Sequence, residues 1–278
     1  MFAIVGILVV FGAVVGGYLM EHGNLKVLVQ PAELLIIGGA AAGTILIANP
    51  PMILKGIMVG FKVVFGSSGF GKDRYIETLK QIYGVLQKAR KGGLTDLETD
   101  VENPDKSPLF AKWDHHVRDF VCDTLRMAMS GGATPFDLDQ MMELDMEVHE
   151  HYAQLPVKAL NTVADSLPGL GIVAAVLGVV ITMGALGGPP EEIGHKVAAA
   201  LVGTFLGILL CYGLLGPMAA KMGKAAEEEH HFYHAVRVAI SSFLKGNPPP
   251  LALEFARRAV PGHVRPTFQE LEKAYKGK

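Results

Sequence analysis

The stretch from Leu167 to Leu186, LPGLGIVAAVLGVVITMGAL, contains no charged residue. A helix needs about 20 apolar residues to cross the hydrocarbon core of a bilayer. Three further runs have the same uncharged, apolar character: Met1–Met20, Leu34–Ala48 and Val197–Leu215. The four runs together predict an all-α, polytopic membrane protein with four transmembrane helices.

The composition agrees with a membrane protein. Half of the 278 residues are hydrophobic and 19% are charged, compared with about 25% in soluble domains. The net charge of −2 gives no electrostatic basis for binding nucleic acid. Cys122 lies in a charged region and Cys211 in an apolar run, so two reduced thiols are predicted rather than a disulfide.

The runs and the polar stretches between them divide the chain into four segments. These are a transmembrane hairpin (1–50), a helical domain (51–165), a second transmembrane hairpin (166–218) and a helical tail (219–278).

Lysine and arginine set the predicted orientation of these segments. The segment 51–165 holds 13 of the 25 basic residues and the chain after Leu215 holds 10, whereas Lys26 and Lys196 are alone in the two short loops. Basic residues concentrate on the cytoplasmic side of membrane proteins. Both termini and the domain 51–165 are therefore predicted to be cytoplasmic.

Local patterns predict the elements of the polar segments. Residues 53–68 are apolar with Lys55 and Lys62, and indicate an interfacial helix. Helices are predicted over 74–90, 110–130 and 135–165, the last running into the third span. Capping-box patterns start at Thr95 and Thr267, each followed three residues later by glutamate.

The chain carries no recognised catalytic motif. It has no P-loop, no Gly-x-Ser-x-Gly and no His-Glu-x-x-His, so neither an enzyme nor a cofactor is predicted. Two clusters of histidine and glutamate are interpreted as solvated helix faces rather than metal sites. They comprise Glu143, Glu147, His149, Glu150 and His151, and then Glu227, Glu228, Glu229, His230, His231 and His234.

The four apolar runs contain no Asp, Glu, Lys, Arg or His, and Glu33 and Asp165 lie at their edges. Ion pathways through membranes need an ionisable or strongly polar group near mid-depth. If the chain conducts ions, the titrating carboxylate is therefore predicted to come from another chain; the alternative is that it conducts none. The stripe Gly171, Ala175 and Gly178 favours close helix packing, within this chain or against another.

Several motifs resemble those of one family. The segments DSLPGLGIVAAV (165–176) and LVGTFLGIL (201–209), QPAEL (30–34) and PPLALEF (249–255) are similar to the flagellar stator A subunit, MotA, within the MotA/TolQ/ExbB proton channel family. The resemblance covers essentially the whole chain, with the motifs in the same order.

The resemblance implies a homopentamer in the bacterial inner membrane, assembled around a single-span MotB-type subunit. That partner supplies the ion-binding aspartate, and the complex exerts torque on a FliG-type rotor protein. The alternatives are an ExbB/TolQ-like energising subunit of an envelope transport or integrity complex, and a membrane scaffold without ion flux.

The resemblance also implies roles for six residues. Arg90 and Glu98 match two charges that engage the rotor, although a helix-dipole contact and a helix cap would explain them as well. The others are Pro168 and Pro217, which match prolines that couple ion flow to movement, Thr204, which matches a channel-lining threonine, and Ala175, where sodium-driven relatives carry threonine. Alanine offers no oxygen to Na⁺, so proton coupling is predicted.

Overall fold

The computed structural model describes residues 2–66, 69–111, 113–184 and 187–277. These residues form helices and no strand, which confirms the predicted all-α class. The helices are α1 (Phe2–Met20), α2 (Leu25–Leu28), α3 (Pro31–Ala48), α4 (Pro51–Phe65), α5 (Lys72–Gly92), α6 (Glu98–Glu102), α7 (His115–Met129), α8 (Pro135–Met183), α9 (Pro190–Leu210), α10 (Gly216–Leu244), α11 (Pro249–Ala259) and α12 (Phe268–Lys276).

Four helical stretches are long and apolar enough to cross a membrane, which confirms the predicted number of spans. The first is α1 and the second is Leu25–Ala48; the third lies within α8, and the fourth within the continuous stretch Pro190–Leu244. The predicted third run ends at residues 185–186, which lie outside the described part of the chain.

The chain divides into two compact units. The membrane unit comprises Met1–Ser67 and Ala153–Ala225, and the polar unit comprises Ser68–Tyr152 and Ala226–Lys278. Helices α8 and α10 contribute to both units. The helix α4 and residues 153–165, which were assigned from the sequence to the polar segment 51–165, belong to the same unit as the spans.

Within the membrane unit, α8 and α9 meet through glycines. A Cβ atom built on Gly171 would lie 2.7 Å from the carbonyl oxygen of Gly203, and one on Gly178 would lie 2.7 Å from the Cβ of Ala200. A Cβ on Gly207 would lie 3.0 Å from the Cα of Gly171. The glycines of the stripe therefore pack against a helix of this same chain. Because glycine has no Cβ atom, the two backbones can approach this closely.

Helix α4 is amphipathic, as predicted for residues 53–68, although residues 67 and 68 lie outside the described part. Ile57 and Val64 are buried in a cluster with residues of α8 and α10, whereas Lys55 and Lys62 are exposed on the opposite face. Lys221 of α10 donates a hydrogen bond to the carbonyl oxygen of Val64, with an N–O distance of 2.7 Å. This bond holds the C-terminal end of α4 in place.

The polar unit has its own core, to which α5, α6, α7, α8, α10, α11 and α12 all contribute. Its fully buried large side chains include Tyr75, Phe110, Phe232 and Leu253. The predicted helix over 110–130 is shorter than expected and begins at His115, because Asp114 caps it by accepting from the backbone N–H of His116.

The two predicted capping boxes have different outcomes. The box at Thr267 is confirmed: the Thr267 hydroxyl accepts from the N–H of Glu270, and the Thr267 N–H donates to the Glu270 carboxylate. The box at Thr95 is wrong, because a 3₁₀ turn over Leu94–Leu97 occupies that position without a side-chain cap. Thr95 therefore lies inside the 3₁₀ turn, and the α-helix begins only at Glu98, with Leu97 at the N-cap position.

Gly171→Ala is expected to weaken the membrane unit, because the added methyl group would meet the backbone of α9. Overpacking of this kind costs about 1–3 kcal/mol. The measurement is the thermal unfolding midpoint of the purified protein in detergent, followed by circular dichroism at a helix band.

Gly169→Ala is the matched control on the same helix, since nothing lies within 4 Å of a Cβ built there. Alanine is ordinarily the better helix former, by roughly 0.5–1 kcal/mol, so this variant should be as stable as the parent or more stable. Equal midpoints for the two variants would contradict the close approach of α8 and α9.

Candidate functional site: a charged tip and a glycine-packed pair of spans

The segment 88–107, which joins α5 to the chain after α6 and is named the tip, presents Arg90 and Glu98 at its surface. Helix α5 ends at Gly92, the 3₁₀ turn Leu94–Leu97 follows, and α6 begins at Glu98. Arg90 is exposed in the last turn of α5, and Glu98 is exposed in the first turn of α6. In the described part of the chain neither side chain forms an ion pair, so both charges are available to another molecule.

The backbone under these two charges is anchored by burial. Ala89 and Leu97, the residues next to Arg90 and Glu98, are buried, and Val101 one turn further is fully buried in the core of the polar unit. The alternation of buried and exposed neighbours fixes the direction in which the two charged side chains leave the surface.

A buried carboxylate ties α6 to α5. Asp100 accepts from Lys88 at 2.6 Å and from the Ser107 hydroxyl at 2.7 Å. Burial alone would raise the pKa of Asp100, but the hydrogen bonds from Lys88 and Ser107 outweigh it and hold the pKa below its usual value. The carboxylate therefore stays ionised and connects three parts of the tip.

The other side of α6 is fastened to α7. Arg126 donates from Nη2 to the carbonyl oxygen of Val101 at 3.0 Å and from Nε to the carboxylate of Glu102 at 2.9 Å. The carbonyl contact satisfies one of the acceptors left open at the end of a short helix. The tip is thus a preorganised surface rather than a free loop.

In the membrane unit, Thr204 and Ala175 lie on the seam between α8 and α9. A Cβ on Gly171 would lie 3.3 Å from the Cα of Thr204, and one on Gly203 would lie 3.2 Å from the backbone nitrogen of Ala175. Both residues are half-buried. The structure therefore brings these two predicted residues together on adjoining helices.

The two predicted coupling prolines are both inside helical structure. Pro168 lies within α8 without ending it. Pro217 follows a π-helical turn over Cys211–Leu215, in which the N–H of Gly216 donates to the carbonyl of Cys211. A proline ring clashes with the carbonyl four residues earlier in a regular α-helix, and the wider turn makes room for it.

Glu33 occupies a position that the sequence did not indicate. It lies in the first turn of α3, but its side chain is buried, with 7% of the residue exposed, against Gly203 of α9. Its Oε2 atom has no hydrogen-bond partner among the described residues. This chain therefore has a buried carboxyl group of its own, and a titrating carboxylate need not come only from another chain.

The histidine and glutamate clusters join two helices of the polar unit. His149 Nε2 lies 3.2 Å from the carboxylate of Glu229, and His230 Nδ1 lies 3.0 Å from that of Glu150. The hydrogen bond with Glu229 raises the pKa of His149. No group of three metal-ligating side chains occurs in the part of the chain that the structure describes. Sequence separation hid these pairs, whose partners are 80 residues apart.

Four spans, a glycine-packed pair of helices and a charged tip define a polytopic helical membrane protein. Residues 4–93 match the family model for the motility protein A N-terminal region, and residues 112–234 match that of the MotA/TolQ/ExbB proton channel family. The chain is 40% identical to motility protein A of Salmonella typhimurium and 41% identical to that of Escherichia coli, over 98% of this chain and 94% of each relative. The chain belongs to the motility protein A family.

Related proteins have solved structures with the same fold. A structure described as C. jejuni MotAB superposes with a TM-score of 0.76 at 21% identity, covering 94% of this chain and 95% of that one. The flagellar MotAB stator complex from Bacillus subtilis gives a TM-score of 0.72 at 25% identity, covering 90% and 92%.

Asp100→Asn is expected to destabilise the tip, because the Ser107 hydroxyl loses a charged acceptor. The loss in free energy of unfolding should be about 1 kcal/mol, the usual net value of one hydrogen bond. Trp113 is the only tryptophan and lies in the polar unit, so its fluorescence during denaturation of the full-length protein is the measurement.

The pH dependence of the free energy of unfolding gives a second check on the role of Asp100. The folded state holds the pKa of Asp100 below the unfolded value of about 3.9. Its contribution is therefore present above that pH and is lost as the pH falls through the folded-state value. Glu98→Gln is the control, since Glu98 is exposed and unpaired among the described residues; equal destabilisation by both variants would contradict the role of Asp100.

Proposed function

We propose that this chain is the A subunit of a proton-driven flagellar stator complex. A single-span MotB-type partner supplies an ion-binding aspartate, and ion flow is converted into torque on a FliG-type rotor protein. The near full-length similarity to proteins named motility protein A carries this proposal. It is supported by the matching structures, which are of MotAB complexes.

The complex is a homopentamer of this chain in the bacterial inner membrane, with both termini and the polar unit in the cytoplasm. The concentration of lysine and arginine outside the short loops supports the orientation. Exposed apolar side chains on the spans, among them Leu8, Ile47 and Val180, are surfaces for lipid and for neighbouring subunits. The chain itself contributes no catalytic step.

Proton coupling rests on the chemistry of the seam between α8 and α9. Na⁺ is a hard cation that requires oxygen ligands, and Ala175, which lies on the same seam as the half-buried Thr204, has a methyl side chain without oxygen. A proton needs only a titratable group and a polar path to it. The seam therefore suits proton transfer better than coordination of a sodium ion.

The ExbB/TolQ-like alternative shares the family model over residues 112–234. It does not account for the match of residues 4–93 to the motility protein A N-terminal model, the region that contains α5 and Arg90. The charged tip is the feature that an envelope-energising subunit would have no reason to present.

The double charge reversal Arg90→Glu with Glu98→Lys should greatly slow or abolish rotation while leaving the membrane complex assembled. Both side chains are exposed and unpaired in the described part, so their reversal breaks no internal contact but repels a complementary rotor surface. The measurement is the rotation speed of tethered cells that lack their own stator, together with the amount of complex in their membranes.

Glu77→Lys with Lys80→Glu is the matched control. These residues are exposed on the same helix α5, and the change reverses one charge of each sign. This control should rotate normally. Equal slowing by both double variants, or loss of assembly in the first, would return Arg90 and Glu98 to a purely structural role.

A further inference from the structure

Glu33 is a carboxyl group inside the membrane unit whose surroundings are shaped to hold it. A Cβ built on Gly203 would lie 2.6 Å from Glu33 Oε2. Glycine at this position of α9 therefore leaves the space that the carboxyl occupies. A side chain of any other residue type there would displace Glu33.

The contacts of Glu33 place it deep in the apolar layer, although it belongs to the first turn of α3. Gly203 is six residues from the start of the run Val197–Leu215, which is about 9 Å along a helix. The Cβ of Ala174 lies 3.1 Å from the same built atom, and Ala174 is seven residues from Leu167, about 10 Å. The carboxyl is therefore well inside a hydrocarbon core of about 30 Å.

No charge or hydrogen bond compensates this group among the described residues. The carboxyl lies against Gly203 of α9, and Ala174 and Ala175 of α8 line the other side of Gly203. The next inward residue on the same face of its own helix, Ile37, is fully buried. An ionised carboxylate without a partner is costly in such surroundings. Ionisable residues retained at this depth ordinarily serve transport.

We propose that Glu33 is a proton-binding group of the ion pathway, which takes up and releases the transported proton beside Gly203, on the seam of α8 and α9 that also holds Ala175 and Thr204. The proton arrives from water at the Glu33 carboxylate, is held there as the neutral acid, and leaves to water or to the next carboxylate along the path. The inference rests on the proposed proton-driven function and adds a site on this chain to that of the partner.

Glu33→Gln tests this role because glutamine has the same shape and imitates the neutral acid permanently. The complex of this chain with its single-span partner is supplied to cells without their own stator. Rotation speed and membrane level of the complex are then measured over a range of external pH. We expect normal assembly with rotation lowered several-fold, and a speed that no longer follows pH as in the parent.

Glu21→Gln is the control, because Glu21 is an exposed glutamate in the loop after α1 and undergoes the same chemical change. Rotation of Glu33→Gln equal to that of Glu21→Gln would overturn the inference, since a permanently neutral group would then suffice. Absence of rotation in the parent complex would instead count against the proposed function itself.

A second measurement needs no variant. The purified parent complex is prepared with glutamate labelled with ¹³C at the side-chain carboxyl, which separates glutamate from any aspartate of the partner in the infrared spectrum. A labelled carbonyl band of a protonated acid in apolar surroundings should appear and disappear with pH in the working range. A band that stays constant would contradict proton uptake and release by Glu33.

Discussion

The close approach of α8 and α9 is the constraint on which the membrane half of this protein depends. Gly171, Gly203 and Gly207 bring two helix backbones to a distance that any side chain would prevent. In lipid, where apolar side chains gain nothing by leaving the solvent, such backbone contact is a principal source of helix association. The same glycines set the positions of Thr204, Ala175 and Glu33, the residues of the proposed proton pathway.

In the polar unit, the backbone beneath two exposed charges, Arg90 and Glu98, which are unpaired among the described residues, is held in place. Leu97 and Val101 bury one side of the tip, and the carboxylate of Asp100 joins α5, α6 and the segment around Ser107. These contacts fix the backbone beneath Arg90 and Glu98 to the core of the polar unit. The long helices α8 and α10 contribute residues to both units.

The sequence predicted the features that depend on a local pattern. It did not predict those that depend on how deeply a residue is buried or on contacts between segments far apart in the chain. The hydropathy of the sequence predicted all four spans. The Thr267 capping box was also predicted, because its pattern lies within four consecutive residues. Glu33 looked like an edge residue, because its depth is set by its contact with α9 and not by its place in α3. The Thr95 box failed because Thr95 lies inside a 3₁₀ turn and the α-helix begins three residues later, at Glu98. The His149–Glu229 pair joins residues far apart in sequence. The roles of Arg90, Glu98, Pro168 and Pro217 came from family resemblance and stay predictions.

We propose that this chain converts a proton gradient into rotation. The decisive measurement is the rotation of tethered cells without a stator that are supplied with the chain and its single-span partner, in sodium-free buffer with and without a protonophore. We expect rotation in sodium-free buffer that stops when the protonophore is added. Rotation that requires sodium or survives the protonophore would contradict proton coupling. No rotation, with both proteins present in the membrane, would contradict the stator function.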